Sequence, residues 1–349
     1  MKIRNGRISA LAALALVASM ALTACGSDDD GDTGSDNSSS SGGGGGDVAI
    51  TMLPKNLGNP YFDTSTAGAE KAAEEFGGSV EEVGPDAASP DAQVSFIDTA
   101  AQQGINALVI SANDPKALCD SINAARDAGT KVVTFDSDTE PQFRDLFVNQ
   151  ASAEGIADKQ LELVSDQIGG KGEIAILSAS ANATNQNAWI EMMEATLAAD
   201  HPDIKLVDTV YGDDDDQKSF DATAALLADH PNLKGIISPT TVGIAAAARY
   251  LSTSDAKGKV ALTGLGTPNQ MRDYVEDGTV TEFALWNPGD LGYLAAFAAK
   301  ALVDGDINGE EGDTFTAGDL GDFTVGADAT VLLGDPFKFN ADNIGDFNF

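Results

Sequence analysis

Two histidines, two cysteines and 20 lysines and arginines serve a chain of 349 residues. Each scarcity excludes a class of chemistry. His201 and His230 both sit in Ala-Asp-His-Pro connectors that lead from a helical pattern into a strand. They lie away from the strand ends where a site would form, so neither reads as a catalytic base or metal ligand. Against the few basic residues stand 55 acidic ones, a formal net charge of −35. That sign excludes nucleic acid as a partner, because phosphate binding needs cations. Acidic lipid headgroups would be repelled as well. The acid excess itself fits either simple solubility or adaptation to high salt. Nucleophile and nucleotide motifs are also missing. There is no Gly-x-Ser-x-Gly elbow, and Gly169-Gly170-Lys171-Gly172 lacks the spacing and hydroxyl of a phosphate loop. Gly264-Leu265-Gly266 lacks the third glycine of a dinucleotide fingerprint. Asp213 to Asp216 lack the alternating spacing and central glycine of an EF-hand loop and read as a solvated turn. No catalytic residue, cofactor or metal site is expected.

The N-terminus is richer. Lys2, Arg4 and Arg7 precede an apolar Ala/Leu-rich stretch, Ile8 to Leu22, which is too short to span a bilayer. It ends in Leu22-Thr23-Ala24-Cys25, which resembles the bacterial lipobox. The resemblance implies a signal peptide over 1–24 and diacylglyceryl modification of Cys25. Gly26 to Gly46 contains only Gly, Ser, Asp, Thr and Asn, a composition that cannot bury a core. With Cys25 it makes a tether of about 22 residues, with a mean reach of roughly 25 Å. Cys119 is then the only thiol left, so no intramolecular disulfide is available and burial is its expected fate.

From Asp47 onward, short apolar runs alternate with Ala-rich amphipathic segments. Val48–Leu53, Ser79–Val83, Ala107–Ser111 and Lys131–Phe135 read as strands. Thr64–Phe76, Pro90–Gln103 and Pro115–Ala128 read as the helices between them. The rhythm resumes with strands Glu173–Leu177, Leu206–Tyr211, Gly235–Ser238 and Val260–Gly264. Helices Asn185–Ala199, Gln217–Ala228 and Val242–Leu251 separate these. Continuous Val/Ile/Leu strands and helix-closing glycines fit parallel sheets covered on both faces. The fold class is therefore α/β, with two doubly wound parallel-sheet lobes.

In open α/β sheets ligands sit off the carboxyl ends of the strands. Lys55-Asn56, Asn113-Asp114 and Asp136-Ser137-Asp138 follow strands in the first half. Asn182 to Asn187, Pro239-Thr240-Thr241, Gly264 to Thr267 and Trp286-Asn287 do so in the second. Of the carboxylates Asp136 and Asp138, one is expected to face the ligand, and Asp136 is the candidate. Asp136, Asn185 and Gln186 offer planar groups that make two hydrogen bonds each, which suits vicinal hydroxyls. Lys55 adds charged donors beside Asp136. Phe62 and Trp286 could cover an apolar C–H face, with core packing as the alternative for each. Trp189 lies inside a helix pattern and reads as core. Asp63 is the favoured cap for the helix starting near Thr64, and Asn59 is left open.

Leu53-Pro54-Lys55-Asn56-Leu57-Gly58-Asn59-Pro60-Tyr61-Phe62 resembles the first strand and loop of periplasmic sugar-binding proteins of the ribose-binding type. The nearest branch is the one holding rhamnose-binding and autoinducer-2-binding proteins. Asn113-Asp114-Pro115, Thr134 to Asp138, Asn185 to Trp189, Pro239 to Gly243, Gly264 to Pro268 and Phe283 to Pro288 continue the likeness in order. The resemblance implies a type I clamshell crossed three times by the chain, near Gln150, near Trp286 and within Asp306 to Phe323. An N-terminal lobe would comprise 47–150 and 288–306, and a C-terminal lobe 151–287 and 307–349. It also implies a pocket lined by residues matching Lys55, Asp136, Asn185, Gln186, Pro239 and Thr241. Autoinducer-2 binders typically carry Asp in place of Asn185 and Ala in place of Thr241, which turns the expectation toward a sugar such as rhamnose. Asn56, Asn59, Phe62, Asn113 and Trp286 complete the expected ligand-binding set.

The function that follows is an extracytoplasmic solute-binding lipoprotein of an ABC importer. It would act as a monomer, bind a monosaccharide, dock on the permease and be held to the membrane through Cys25. An autoinducer-2-type binder, or a sugar sensor presenting its ligand to a membrane receptor, is the alternative. A lipid-anchored enzyme stands further off, for want of a base, nucleophile or metal constellation.

Overall fold

The computed structural model describes residues 47–349. The expected signal peptide, Cys25 and the tether lie outside the described residues. Within them the chain runs β1 (Ala49–Leu53), α1 (Pro60–Phe76), β2 (Ser79–Glu82), α2 (Pro90–Gln103), β3 (Ala107–Ile110), α3 (Cys119–Asp127), β4 (Lys131–Phe135) and β5 (Leu146–Asn149). It continues through α4 (Ala153–Ile168), β6 (Gly172–Ser178), α5 (Thr184–Asp200), β7 (Ile204–Tyr211), α6 (Asp216–Asp229), β8 (Leu233–Ser238), α7 (Thr241–Ser252) and β9 (Ala261–Gly264). After these come α8 (Pro268–Glu276), β10 (Glu282–Leu285), α9 (Pro288–Asp304) and the short strands β11 (Thr314–Thr316), β12 (Asp322–Thr324), β13 (Thr330–Leu332) and β14 (Phe337–Asn340).

The first sheet has the order β2-β1-β3-β4-β5-β13 and is parallel throughout. Its strands alternate between two cores. Ile50, Met52, Val109 and Val133 join one, while Leu53, Leu108, Ile110 and Val132 join another with Ile97 of α2 and Ile122 of α3. Helices therefore cover both faces, which explains why the strands read as unbroken apolar runs. On the opposite face from α2 and α3, α1 and α9 pack closely. A Cβ on Gly68 would fall 1.9 Å from the Gly289 carbonyl oxygen, and one on Gly292 1.8 Å from that of Ser65. The second sheet repeats the order as β7-β6-β8-β9, again parallel, and a Leu265–Ala284 bridge brings β10 alongside β9. Both sheets thus have a switch point beside their first strand, where open α/β sheets form a crevice.

Several expectations are corrected. α1 begins at Pro60 rather than near Thr64, and its cap is Asn59, whose Oδ1 accepts from the Tyr61 amide at 3.1 Å. Pro60 suits the first helical position because its missing N–H would have had no partner there. Asp63 lies inside the first turn and is not the cap. α3 starts at Cys119 instead of Pro115, because Asp114 Oδ1 accepts from the Lys116 and Ala117 amides and holds a turn there. β5 and α4 fill the interval in which no element was expected. Finally, residues 307–349 do not belong to the second lobe as a block. β13 pairs with β5 in the first sheet and β11 packs on α9, whereas β14 pairs antiparallel with β10. The chain therefore makes its last crossing between β13 and β14, beyond Asp306–Phe323. Strands of three residues are too short to carry a legible period.

Candidate functional site

Loops at the carboxyl ends of both sheets line a cleft holding about 370 Å³ of space, the part open to solvent included. Lys55 follows β1 and Asp136 follows β4 on one wall. Asn185 and Gln186 open α5, and Pro239, Thr240 and Thr241 follow β8 on the other.

Lys55 is placed by buried amides beneath it. Gln93 is fully buried, and its Nε2 donates to the Pro54 and Ser111 carbonyls at 3.0 and 2.8 Å. Asn113 takes the other end of that amide through its backbone N–H and donates from Nδ2 to the Lys55 carbonyl at 2.9 Å. Asn113 thus braces the loop and does not line the cavity. Asn56 also lies outside the lining, with Nδ2 directed at the Leu57 carbonyl 3.3 Å away. Both departures from the expected set have one cause. The loop is anchored from below, so the Nδ2 groups of Asn56 and Asn113 are spent on backbone carbonyls.

Asp136 is the polar centre. Its φ of +60° ends β4 abruptly and turns the carboxylate into the cavity. A continuing strand would have put Asp136 and Asp138 on one face. Asp138 instead turns away to pair with Arg144, Oδ1 to Nε and Oδ2 to Nη2, both at 2.8 Å. One oxygen of Asp136 accepts from the Tyr61 hydroxyl at 3.1 Å, and the other from Ser111 at 2.7 Å. Lys55 Nζ stands 3.7 Å from that second oxygen. Tyr61 accepts in turn from Trp286 Nε1 at 2.9 Å. Burial and the neighbouring carboxylate push the Tyr61 phenol well above its ordinary range, so it remains a donor to Asp136.

On the facing wall, Gln186 Oε1 accepts from the Ser178 hydroxyl and the Ala179 amide, both at 3.0 Å, and its Nε2 has no hydrogen-bond partner among the described residues. Aromatic rings supply the apolar surface. Trp286 meets Tyr61 and Trp189 edge-on, each at 6.2 Å, and Phe62 packs edge-on to Tyr61 at 5.1 Å. Trp189 is both core and lining, because the helix that buries it opens at the cavity. Asn59 reaches the cavity as well as capping α1.

Residues 50–307 match the periplasmic binding protein domain. The chain belongs to that family. A sugar ABC transporter structure from Actinomyces odontolyticus is 57% identical, covering 86% of this chain and 98% of that one, with a TM-score of 0.71. An ABC transporter solute-binding protein from Clostridium phytofermentas with bound L-rhamnose is 38% identical, with coverage of 86% and 98% and a TM-score of 0.83. LsrB from Clostridium saccharobutylicum in complex with AI-2 is 28% identical, with coverage of 86% and 100% and a TM-score of 0.81. The parallel-sheet α/β fold is that of the type I periplasmic binding proteins among its neighbours, and the family is extracytoplasmic.

Nine of the eleven residues expected at the site line the cavity: Lys55, Asn59, Phe62, Asp136, Asn185, Gln186, Pro239, Thr241 and Trp286. The sequence reading missed Tyr61, Asp214, Thr240, Leu265 and Leu285, which line it too. Tyr61 had a readable signal, since it stands one residue before Phe62 in the first loop. Asp214 had none, being one of four consecutive aspartates.

Proposed function

We propose that this protein is the solute-binding lipoprotein of a sugar ABC importer, and that it closes on a monosaccharide, L-rhamnose or a related deoxyhexose. The observation that carries the reading is the pairing of wall chemistries in one cavity. Asp136, Asn185 and Gln186 offer planar hydrogen-bonding groups, while Phe62 and Trp286 offer aromatic surface. A pyranose has the same two kinds of surface, hydroxyls around its rim and C–H groups on its faces. The likeness to the rhamnose-bound protein of C. phytofermentas supports the choice of sugar. Asn185 and Thr241, which add hydrogen-bonding capacity, support it against autoinducer-2. Cys25 carries the anchor in this reading, and the permease takes the closed form.

Calorimetry against L-rhamnose, D-ribose, D-arabinose, D-allose and autoinducer-2 tests it. A sugar binding more tightly than autoinducer-2 is the expected result, with L-rhamnose ahead of the other sugars. Preference for autoinducer-2 would overturn the sugar reading, and another sugar ahead of rhamnose would overturn only the deoxyhexose.

A further inference from the structure

The four aspartates after β7 have four different environments. Asp213 points outward and accepts from Lys218 Nζ at 2.9 Å. Asp215 caps α6, accepting from the Lys218 amide at 2.8 Å. Asp216 pairs with Arg249 on the surface. Asp214 alone lines the cavity. Two consecutive residues in the left-handed region, Asp213 at φ +55° and Asp214 at φ +50°, bend the chain inward. Non-glycine residues seldom adopt this conformation, and it persists where the surroundings impose it. Here the Gly212 and Asp213 amides donate to the Ser178 and Ala179 carbonyls at 2.9 and 2.8 Å, fixing the turn to the end of β6. Gly212 allows this approach, since a Cβ there would fall 2.0 Å from Ser219 Oγ. The Thr240 hydroxyl donates to Asp214 Oδ1 and fixes the carboxylate's orientation. Oδ2 has no hydrogen-bond partner among the described residues.

We propose that Asp214 is a second hydroxyl-accepting carboxylate of the ligand site, supplied by the second lobe, and that it selects for sugars bearing a hydroxyl opposite the one taken by Asp136. The proposal rests on the sugar reading above. Burial raises the affinity of Asp214 for its proton, Thr240 and Lys55 oppose that shift, and Asp136 and Asp213 add to it. Asp214 is half-buried at the cavity wall, and a ligand that shuts out water there while presenting hydrogen or methyl to Oδ2 would leave that acceptor unpaired. Lys55 does not meet the need, as its ammonium donates to Asn185 Oδ1 and faces Asp136. Together the two carboxylates make the cavity read hydroxyls from both walls.

The test is a hydroxyl scan by calorimetry. It uses the tightest-binding sugar of L-rhamnose, D-ribose, D-arabinose and D-allose, with the monodeoxy analogues of that sugar. The proteins are the unmodified chain, Asp214→Ala and Asp136→Ala. Asp214→Asn, which keeps an acceptor for Thr240, stands in if the alanine variant does not fold. Asp214→Ala is expected to weaken the parent sugar about ten- to a hundredfold. One monodeoxy analogue should lose a similar factor on the unmodified protein and lose nothing further on Asp214→Ala. Asp136→Ala should show the same coupling at a different hydroxyl. A folded Asp214 variant binding the parent sugar within twofold would overturn the proposal, as would losses that simply multiply at every hydroxyl. If coupling appears for Asp136 alone, only the Asp214 proposal falls. If the unmodified protein binds none of the sugars, the sugar reading falls and takes this proposal with it.

Discussion

Lys55 and Asn185 come from different lobes, and the Lys55 ammonium donates to the Asn185 side-chain oxygen at 3.0 Å across the cleft. Asn185 Nδ2 returns a hydrogen bond to the Asp136 carbonyl at 3.3 Å. The polar atoms proposed to meet a sugar therefore also meet one another. A ligand has to exchange bonds with this bridge, so its affinity reflects the difference between two polar networks.

Replacing Asn185 by Asp turns the Lys55 contact into an ion pair and removes the amide donor. Lys55 is then held more firmly and the sugar loses a partner. Affinity for the parent sugar should fall about tenfold, the scale of one hydrogen bond involving a charged group. Calorimetry on Asn185→Asp checks it, and equal or tighter sugar binding would count against the exchange. Adding Thr241→Ala completes the pattern associated with autoinducer-2 binders and should shift preference toward that ligand.

Asp136 and Asp138 separate binding from stability. Asp136→Ala should cost about ten- to a hundredfold in sugar affinity, because it removes the acceptor at the centre of the proposed site. Asp138→Ala should leave affinity within a few-fold and destabilise the fold by about 3 kcal/mol. The reason is Arg144, whose side chain is 1% exposed and whose guanidinium would lose a two-bond partner. Among the described residues it would keep hydrogen bonds to the Asp328 and Ala329 carbonyls, at 2.8 and 3.3 Å, and its place over the Phe147 ring. Urea titration beside calorimetry tests the split. Loss of binding in Asp138→Ala with unchanged stability would reverse these assignments.

Much of this arrangement was legible in the sequence because strand ends are legible. Helix Pro90–Gln103 and strand Lys131–Phe135 have the bounds expected of them, since a Pro start, a Gly stop and an apolar run mark them plainly. Lys55, Asp136, Asn185 and Thr241 follow from strand ends together with family likeness. The illegible parts depend on backbone bends and long-range pairing. Asp214 enters the cavity only because two residues take left-handed conformations, which a run of four identical side chains does not announce. Asn113 faces backbone because Gln93, 20 residues earlier, reaches it. β13 joins the first sheet through pairing with a strand nearly two hundred residues earlier, and three residues carry no period.

Cys25→Ser tests the anchor directly. If the lipobox-like ending directs acylation, the unmodified protein should fractionate with membranes and the serine variant should appear in the soluble fraction. Retention of the variant on membranes would remove the lipoprotein reading and leave the sugar site untouched.

Asp214 also predicts a pH dependence of stability, and its sign is the reverse of a salt-bridged carboxylate. Burial raises its folded-state pKa above the ordinary 3.8. Between the unfolded and folded values the folded protein therefore holds more protons, and this group's contribution to stability falls as pH rises through that interval. The penalty begins near 3.8, is complete above the raised value, and persists at neutral pH. The groups facing Asp214 take part: the hydrogen bond from the Thr240 hydroxyl and the charge of Lys55 reduce the penalty, and the charges of Asp136 and Asp213 increase it. Asp214→Asn keeps the Thr240 contact and removes the titration. Urea midpoints of the two proteins should converge toward about pH 4, and the asparagine variant should become the more stable one on the way to about pH 7. A difference that stays flat across this range would mean that Asp214 is as well solvated as its three neighbours, and would weaken its case as an acceptor of the cavity wall.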